Sequence, residues 1–235
     1  MQNWIPKVRR AIEKLPKNFR KGHSDALREV VSLNCRGPQD LARLLSARTN
    51  EELREFCAWF LGVIGDRRSV GALASALRTS STGLIWESAL AMAKIGGPDA
   101  ERELITALTH GRSFDRKKAA IAALGNIAST RAVPHLLKIL NNRRVSPKLR
   151  GEAAEALGKV GSDEVVGPLL EATHDKSPEV RFWAVFALGQ TGARTAIARL
   201  EELAETDHSR LSGWGPISRE AKNAKKQIVL RHRAD

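Results

Sequence analysis

The strongest constraint on this chain is a residue doublet that returns at nearly constant spacing. Leu61-Gly62, Leu124-Gly125, Leu157-Gly158 and Leu188-Gly189 recur, with Met92-Ala93 filling the gap between the first two. The second members stand at 62, 93, 125, 158 and 189, so the spacings are 31, 32, 33 and 31. Three residues further on come Gly65, Gly96, Ala128, Gly161 and Gly192. Five beyond those lies an apolar residue in four units (Val70, Val133, Val166, Ile197), with Glu101 the exception. A period this regular means one supersecondary unit used repeatedly, each copy burying a face that it cannot cover alone.

Each unit reads as two helices. In the first, Cys57, Ser88, Ala120, Ala153 and Ala184 lie four before the doublet, and Phe60, Ala91, Ala123, Ala156 and Ala187 lie one before it. Spacings of three and four place these mostly small residues on one helical face, where neighbouring helices can approach closely. The glycine three after the doublet suits a left-handed helix end. Asp66, Ser129 and Ser162 or Asp163 then follow as N-caps of the second helix. Leu73 with Leu77, Leu136 with Leu140, and Leu169 with Leu170 form its apolar face. Ser146-Pro147 and Ser177-Pro178 open the next unit, a cap followed by proline in the first turn.

Pro178-Glu-Val-Arg-Phe-Trp-Ala-Val-Phe-Ala-Leu-Gly-Gln-Thr-Gly192 resembles the HEAT-like repeats of phycobilisome lyase subunits, and Pro147-Lys-Leu-Arg150 opens in register with it. The resemblance covers residues 51–209, and 25–50 reads as a degenerate first unit through Leu27, Val30, Val31, Leu41, Leu44 and Leu45. It implies an all-α fold, a right-handed α-solenoid of stacked antiparallel helix pairs. A basic N-terminal capping segment, 1–24, precedes the 25–209 array. A basic C-terminal cap, 210–235, follows it and is expected to pack through Ile228 and Leu230 after a break at Leu211-Ser-Gly-Trp-Gly-Pro216. Seven before the doublet stand Arg54, Lys117, Arg150 and Arg181. The resemblance implies that such an arginine pairs with an acid of the preceding inter-repeat loop, a role Asp175 fits for Arg181.

Composition agrees with the helical reading, since Ala, Leu and Arg are plentiful and Tyr is absent. No stretch approaches the roughly 18–20 apolar residues of a membrane helix, and the N-terminus has no apolar signal core. Cys35 and Cys57 form no CxxC pair, which fits buried thiols in a reducing, cytoplasmic setting. The net charge of +13 is concentrated at the ends. Residues 1–21 carry +6 and residues 210–235 carry +5, so the repeats between are nearly neutral.

Candidate chemistry is sparse. The six histidines are isolated, and none shows the i, i+4 spacing of a helical metal pair. None is followed by Glu, unlike the His-Glu motifs of the di-iron HEAT-repeat hydroxylases that modify deoxyhypusine. No phosphate loop and no GxSxG elbow are present. The expectation is therefore no catalytic residue, no metal, no cofactor and no enzyme, with a lyase-subunit role still open.

Surface candidates are better defined. Trp59 and Trp86 occupy positions that hold charge in sister units, so they are expected near solvent as partner-binding residues. The second helices should line the concave face, with Ser75, Thr106, Lys138, Glu171 and Glu202 at one position and Arg78, Thr109, Asn141, His174 and Glu205 at another. That face grades from basic or neutral to acidic. Arg78, Arg102, Lys138, Arg143 and Arg144 are its basic partner-binding candidates. The leading expectation is a monomeric protein-binding scaffold using this concave face, with another protein as partner and no membrane. Nucleic-acid binding through Arg9, Arg10, Lys17, Arg20, Lys21, Lys222, Lys225 and Lys226 is one alternative. A bilin-lyase subunit or chaperone is the other.

Overall fold

The computed structural model describes residues 4–47 and 50–232. Residues 1–3 and 233–235 of the two terminal segments, with Arg233 of the basic C-terminal run, lie outside the described residues. The chain is all-α, an α-solenoid of stacked antiparallel helix pairs, and it divides into two compact units, 1–123 and 124–235.

In the first unit, α1 (Ile5–Glu13), α2 (Lys17–Ser32) and α3 (Pro38–Ser46) precede the regular pairs α4 (Glu51–Ile64) with α5 (Val70–Ala76) and α6 (Thr82–Ile95) with α7 (Gly97–His110). Helix α8 (Phe114–Asn126) carries the point of division. The second unit continues with α9 (Val133–Asn141), α10 (Pro147–Val160), α11 (Val166–Ala172), α12 (Pro178–Thr191), α13 (Ile197–Thr206) and α14 (Ile217–Arg231). Between α13 and α14 a small hairpin pairs β1 (Arg210–Leu211) with β2 (Gly215–Pro216) at the expected break. Leu27, Val30, Leu41 and Leu45 of the irregular first stretch are buried, whereas Val31 is exposed.

The local punctuation follows from the residues named above. Gly65, Gly161 and Gly192 end α4, α10 and α12 with φ between 68° and 77°, where a Cβ would be strained. Ala128 takes the same place with φ of 48°, a left-handed alanine that costs about 1 kcal/mol. The side chains of Asp66 and Ser129 accept from backbone N–H groups at the start of the second helices, and Ser146 caps α10.

The doublet glycines explain the period. A Cβ on Gly62 would fall 2.8 Å from the Ala91 Cα, and one on Gly158 would fall 2.6 Å from the Ala187 Cα. Gly125 meets Ala156 at 3.0 Å in the same way. At these steps first helices therefore touch backbone to backbone, glycine of one against alanine of the next. Gly189 meets Ala224 of α14 at 2.9 Å, so α14 takes the place of one further first helix. Ile228 is fully buried in that packing, but Leu230 is 52% exposed, contrary to its expected role in the cap.

This seam gives a sharp test. Gly158→Ala raises helix propensity by about 1 kcal/mol, yet the added methyl must displace backbone, at a cost of about 1–3 kcal/mol. The variant is expected to be less stable than the parent in urea denaturation. A gain in stability would show that the seam is not close-packed.

Candidate functional site

The surface formed by the second helices of unit 2 is organised by buried ion pairs. Arg150, 5% exposed, donates through both terminal nitrogens to the Asp175 carboxylate, with Nη2 to Oδ1 at 3.2 Å. Arg181 repeats the arrangement one unit on, Nε to Asp207 Oδ2 at 2.7 Å and Nη2 to Asp207 Oδ1 at 3.3 Å. The acid in each case comes from the loop that follows the arginine's unit. Asp175 therefore does not pair with Arg181 as the resemblance implied. It offers Arg181 only its backbone oxygen, at 2.9 Å. Arg54 instead donates its Nε to the Leu45 carbonyl at 2.9 Å.

Burial works against the Asp175 carboxylate, but hydrogen bonds from Arg150 and the Ser177 N–H, with the Arg150 charge, outweigh it and hold the group below its usual range. Asp207 behaves alike, burial being overcome by Arg181 and Ser209. A cleft of about 200 Å³ opens beside the first pair, lined in part by Asn141, Arg143, Glu171 and His174. Arg199 of α13 reaches the end of α11 nearby. It donates to Thr173 Oγ1 at 2.9 Å, approaches His174 Nδ1 at 3.1 Å, and pairs with Glu202 at 2.7 Å. Sequence reasoning passed over Arg199 and Asp207; the 25- and 26-residue offsets of Arg150–Asp175 and Arg181–Asp207, close to one repeat, were the available signal.

The candidates read from sequence are scattered. Arg78 donates to Ser75 Oγ at 3.1 Å and Arg102 pairs with Asp99 at 2.7 Å, both exposed. Lys138, Arg143 and Arg144 are exposed in unit 2. Trp59 and Trp86 are half-buried, and each is covered by a cation of the next repeat: Lys94 lies 5.6 Å from the Trp59 ring centre and Lys118 lies 5.7 Å from that of Trp86. His23 packs edge-on against Trp59 and Phe56, both at 4.7 Å. Arg9, Arg10, Lys17, Arg20 and Lys21 are exposed on α1 and α2, and Arg20 caps the Leu15 carbonyl at 2.6 Å. On α14, Lys222 and Lys226 are exposed, while Lys225 pairs with Glu201 at 2.7 Å. Phe182, Trp183 and Trp214 form an aromatic cluster, with Trp183 seated over Gly151. No helix among the described residues is long and apolar enough to cross a membrane.

Stacked helix pairs joined by a glycine–alanine seam define an α-solenoid repeat protein. HEAT repeats match residues 38–125 and 133–212, and the PBS lyase HEAT-like repeat matches 117–142. The chain belongs to the HEAT-repeat family. Among curated proteins it is similar to deoxyhypusine hydroxylase of Rattus norvegicus, 34% identical over 86 residues that make up 37% of this chain and 28% of that enzyme. It is also similar to deoxyhypusine hydroxylase of Eremothecium gossypii, 41% identical over 64 residues, or 27% of this chain and 20% of the enzyme. The chain thus spans less than a third of the length of these two relatives. An engineered protein of known structure shares the fold, with a TM-score of 0.51 at 22% identity over 83% of this chain and 99% of that one.

These relatives correct the expectation of a non-enzymatic scaffold, because the curated proteins that match are enzymes. The di-iron chemistry of such hydroxylases requires histidine and carboxylate donors gathered at one point. Among the described residues no three His, Cys, Asp or Glu side chains converge to hold a metal ion. The donors among the described residues do not fit that group.

Asp175→Asn would leave Arg150 as an uncompensated buried cation, at a cost of about 3 kcal/mol. The carboxyl is depressed in the folded state, so its stabilisation is complete above the unfolded value of about 3.9 and fades as pH falls through the folded one. The stability gap between parent and variant is expected to be wide at neutral pH and to narrow steadily in acid. Denaturant midpoints across that range measure it, and a constant gap would refute the assignment.

Proposed function

We propose that this chain is the substrate-holding repeat body of an enzyme of the deoxyhypusine hydroxylase class. The similarity to the curated hydroxylases carries the reading. The side chain that such enzymes act on bears amines, and the second helices of unit 2 end in acids that complement it. Glu171 and Glu205 are exposed at lining positions of α11 and α13. Glu202 is engaged by Arg199, which holds its carboxyl below the usual range through a hydrogen bond and its charge. Glu171 and Glu205 are therefore the groups that take the cationic side chain. The partner is another protein, the one that carries this side chain.

A cytoplasmic location fits this role. Cys35 and Cys57 are buried and form no disulfide, as expected where thiols stay reduced. Burial pushes the Cys57 thiol up to about 12, so it is inert as a nucleophile near neutral pH.

The test compares a protein bearing deoxyhypusine with the same protein bearing lysine at that position, each titrated against the full chain. The deoxyhypusine form is expected to bind several-fold more tightly, and the preference to vanish in the Glu171→Gln/Glu205→Gln variant. Equal binding of both forms, with no oxygen added by mass spectrometry, would overturn the reading.

A further inference from the structure

The residue after each doublet forms a row on the first helices of unit 2. Asn126, Lys159 and Gln190 occupy it in α8, α10 and α12. Lys159 and Gln190 follow the seam alanines Ala156 and Ala187 by three, Gln227 follows Ala224 of α14 by the same three, and Asn126 stands at the matching position after Ala123. The row therefore continues through the C-terminal helix. All four side chains line one open groove of about 710 Å³, with Leu230 and Arg231 at its α14 end.

The chemistry of this row is specific. A side-chain amide offers an N–H donor and a C=O acceptor together, the complement of a peptide group. Three of the four rungs are amides, and no acid lines the groove. Gln190 Oε1 is buried with no donor, and Leu230 is 52% exposed. Lys159 Nζ donates to Asn126 Oδ1 at 3.4 Å, linking neighbouring rungs, and pairs with Glu155 of its own helix at 2.9 Å. Arg231 gives one nitrogen to the Gln190 carbonyl at 2.9 Å and keeps its remaining donors.

Spacing selects the occupant. Packed helix axes stand roughly 8–10 Å apart, and the glycine–alanine seam favours the short end. Three residues of a polyproline II chain advance about 9 Å. Successive rungs thus meet every third residue of an extended chain. A nucleic-acid backbone would instead call for a cation at each step, and three of the four rungs, Asn126, Gln190 and Gln227, are neutral amides.

We propose that this groove binds an extended polypeptide segment carrying carboxylates, its peptide groups paired with Asn126, Gln190 and Gln227 and its acids facing Lys159 and Arg231. The site lies on different helices from Glu171 and Glu205 and does not depend on the reading of those acids.

The experiment titrates the full chain with a fluorescent peptide of three Glu-Ala-Pro repeats and follows anisotropy. A Lys-Ala-Pro peptide of equal length and an oligothymidylate serve as comparisons. The acidic peptide is expected to bind saturably, about tenfold more tightly than the basic one. Binding should weaken about tenfold in Gln190→Ala/Gln227→Ala, and comparably in Lys159→Glu, whose exposed side chain keeps the fold intact. Absence of saturable binding, unchanged affinity in Lys159→Glu, or oligothymidylate binding as tightly as the acidic peptide would each overturn the proposal.

Discussion

Everything in this fold depends on the contact between a glycine and an alanine of successive first helices. With no side chain at Gly62, Gly125, Gly158 or Gly189, the facing Ala91, Ala156, Ala187 and Ala224 come within van der Waals reach of the backbone itself. Dispersion between such closely set helices is small per atom pair but extends along the whole interface. The same closeness fixes the register of each helix on the next, because one residue of slip would set a methyl against a main chain. Once that register is set, every other position acquires a fixed neighbour one repeat away. The array needs a receiving alanine at its last step, and Ala224 supplies it, which makes α14 part of the stack despite its basic surface.

The seam, the left-handed helix ends and the caps at Asp66, Ser129 and Ser146 were legible in the sequence because each is a local rule repeated at one period, whereas Ser162 and Ser177 stand at helix starts without a side-chain capping bond. What was not legible depends on the adjacent repeat. The charged residues that replace Trp59 and Trp86 in sister units pointed to rings near solvent, and both are half-buried; that Lys94 and Lys118 of the next repeat lie over them was not readable from one repeat alone. The partner of Arg181 was sought six residues before it. The loop after α13 instead brings Asp207 to it across 26 residues, and the nearer Asp175 is already committed to Arg150. Leu230 failed for a related reason: α14 turns Ile228 inward, and a residue two places on points away from the same face.

The relation to an enzyme was harder to read. Residues that build the seam and caps recur in any protein stacked this way, so a search for histidine and carboxylate motifs is the direct route to chemistry. Here that route finds isolated histidines, and the described side chains gather no metal-donor cluster. The acidic end of the second-helix row was visible from the register alone. Its division into one glutamate held by Arg199 and two left exposed was not, since it rests on a long side chain crossing between α13 and the end of α11.

The two surfaces of unit 2 can carry separate tasks because of how the repeats spend their residues. In each helix one face is committed to the seam and another to the pairing of first and second helices, leaving positions such as 159 and 190 on one side and 171 and 205 on the other. Each repeat touches only its neighbours, so changes at the two rows couple weakly unless they move the seam between them. A substitution at Gln227 alters the groove without reaching the acids of α11. A substitution at Gly158 displaces α10 from α12 and so disturbs both. Both proposed sites therefore sit on positions that the seam does not use, and their geometry is held by positions that it does.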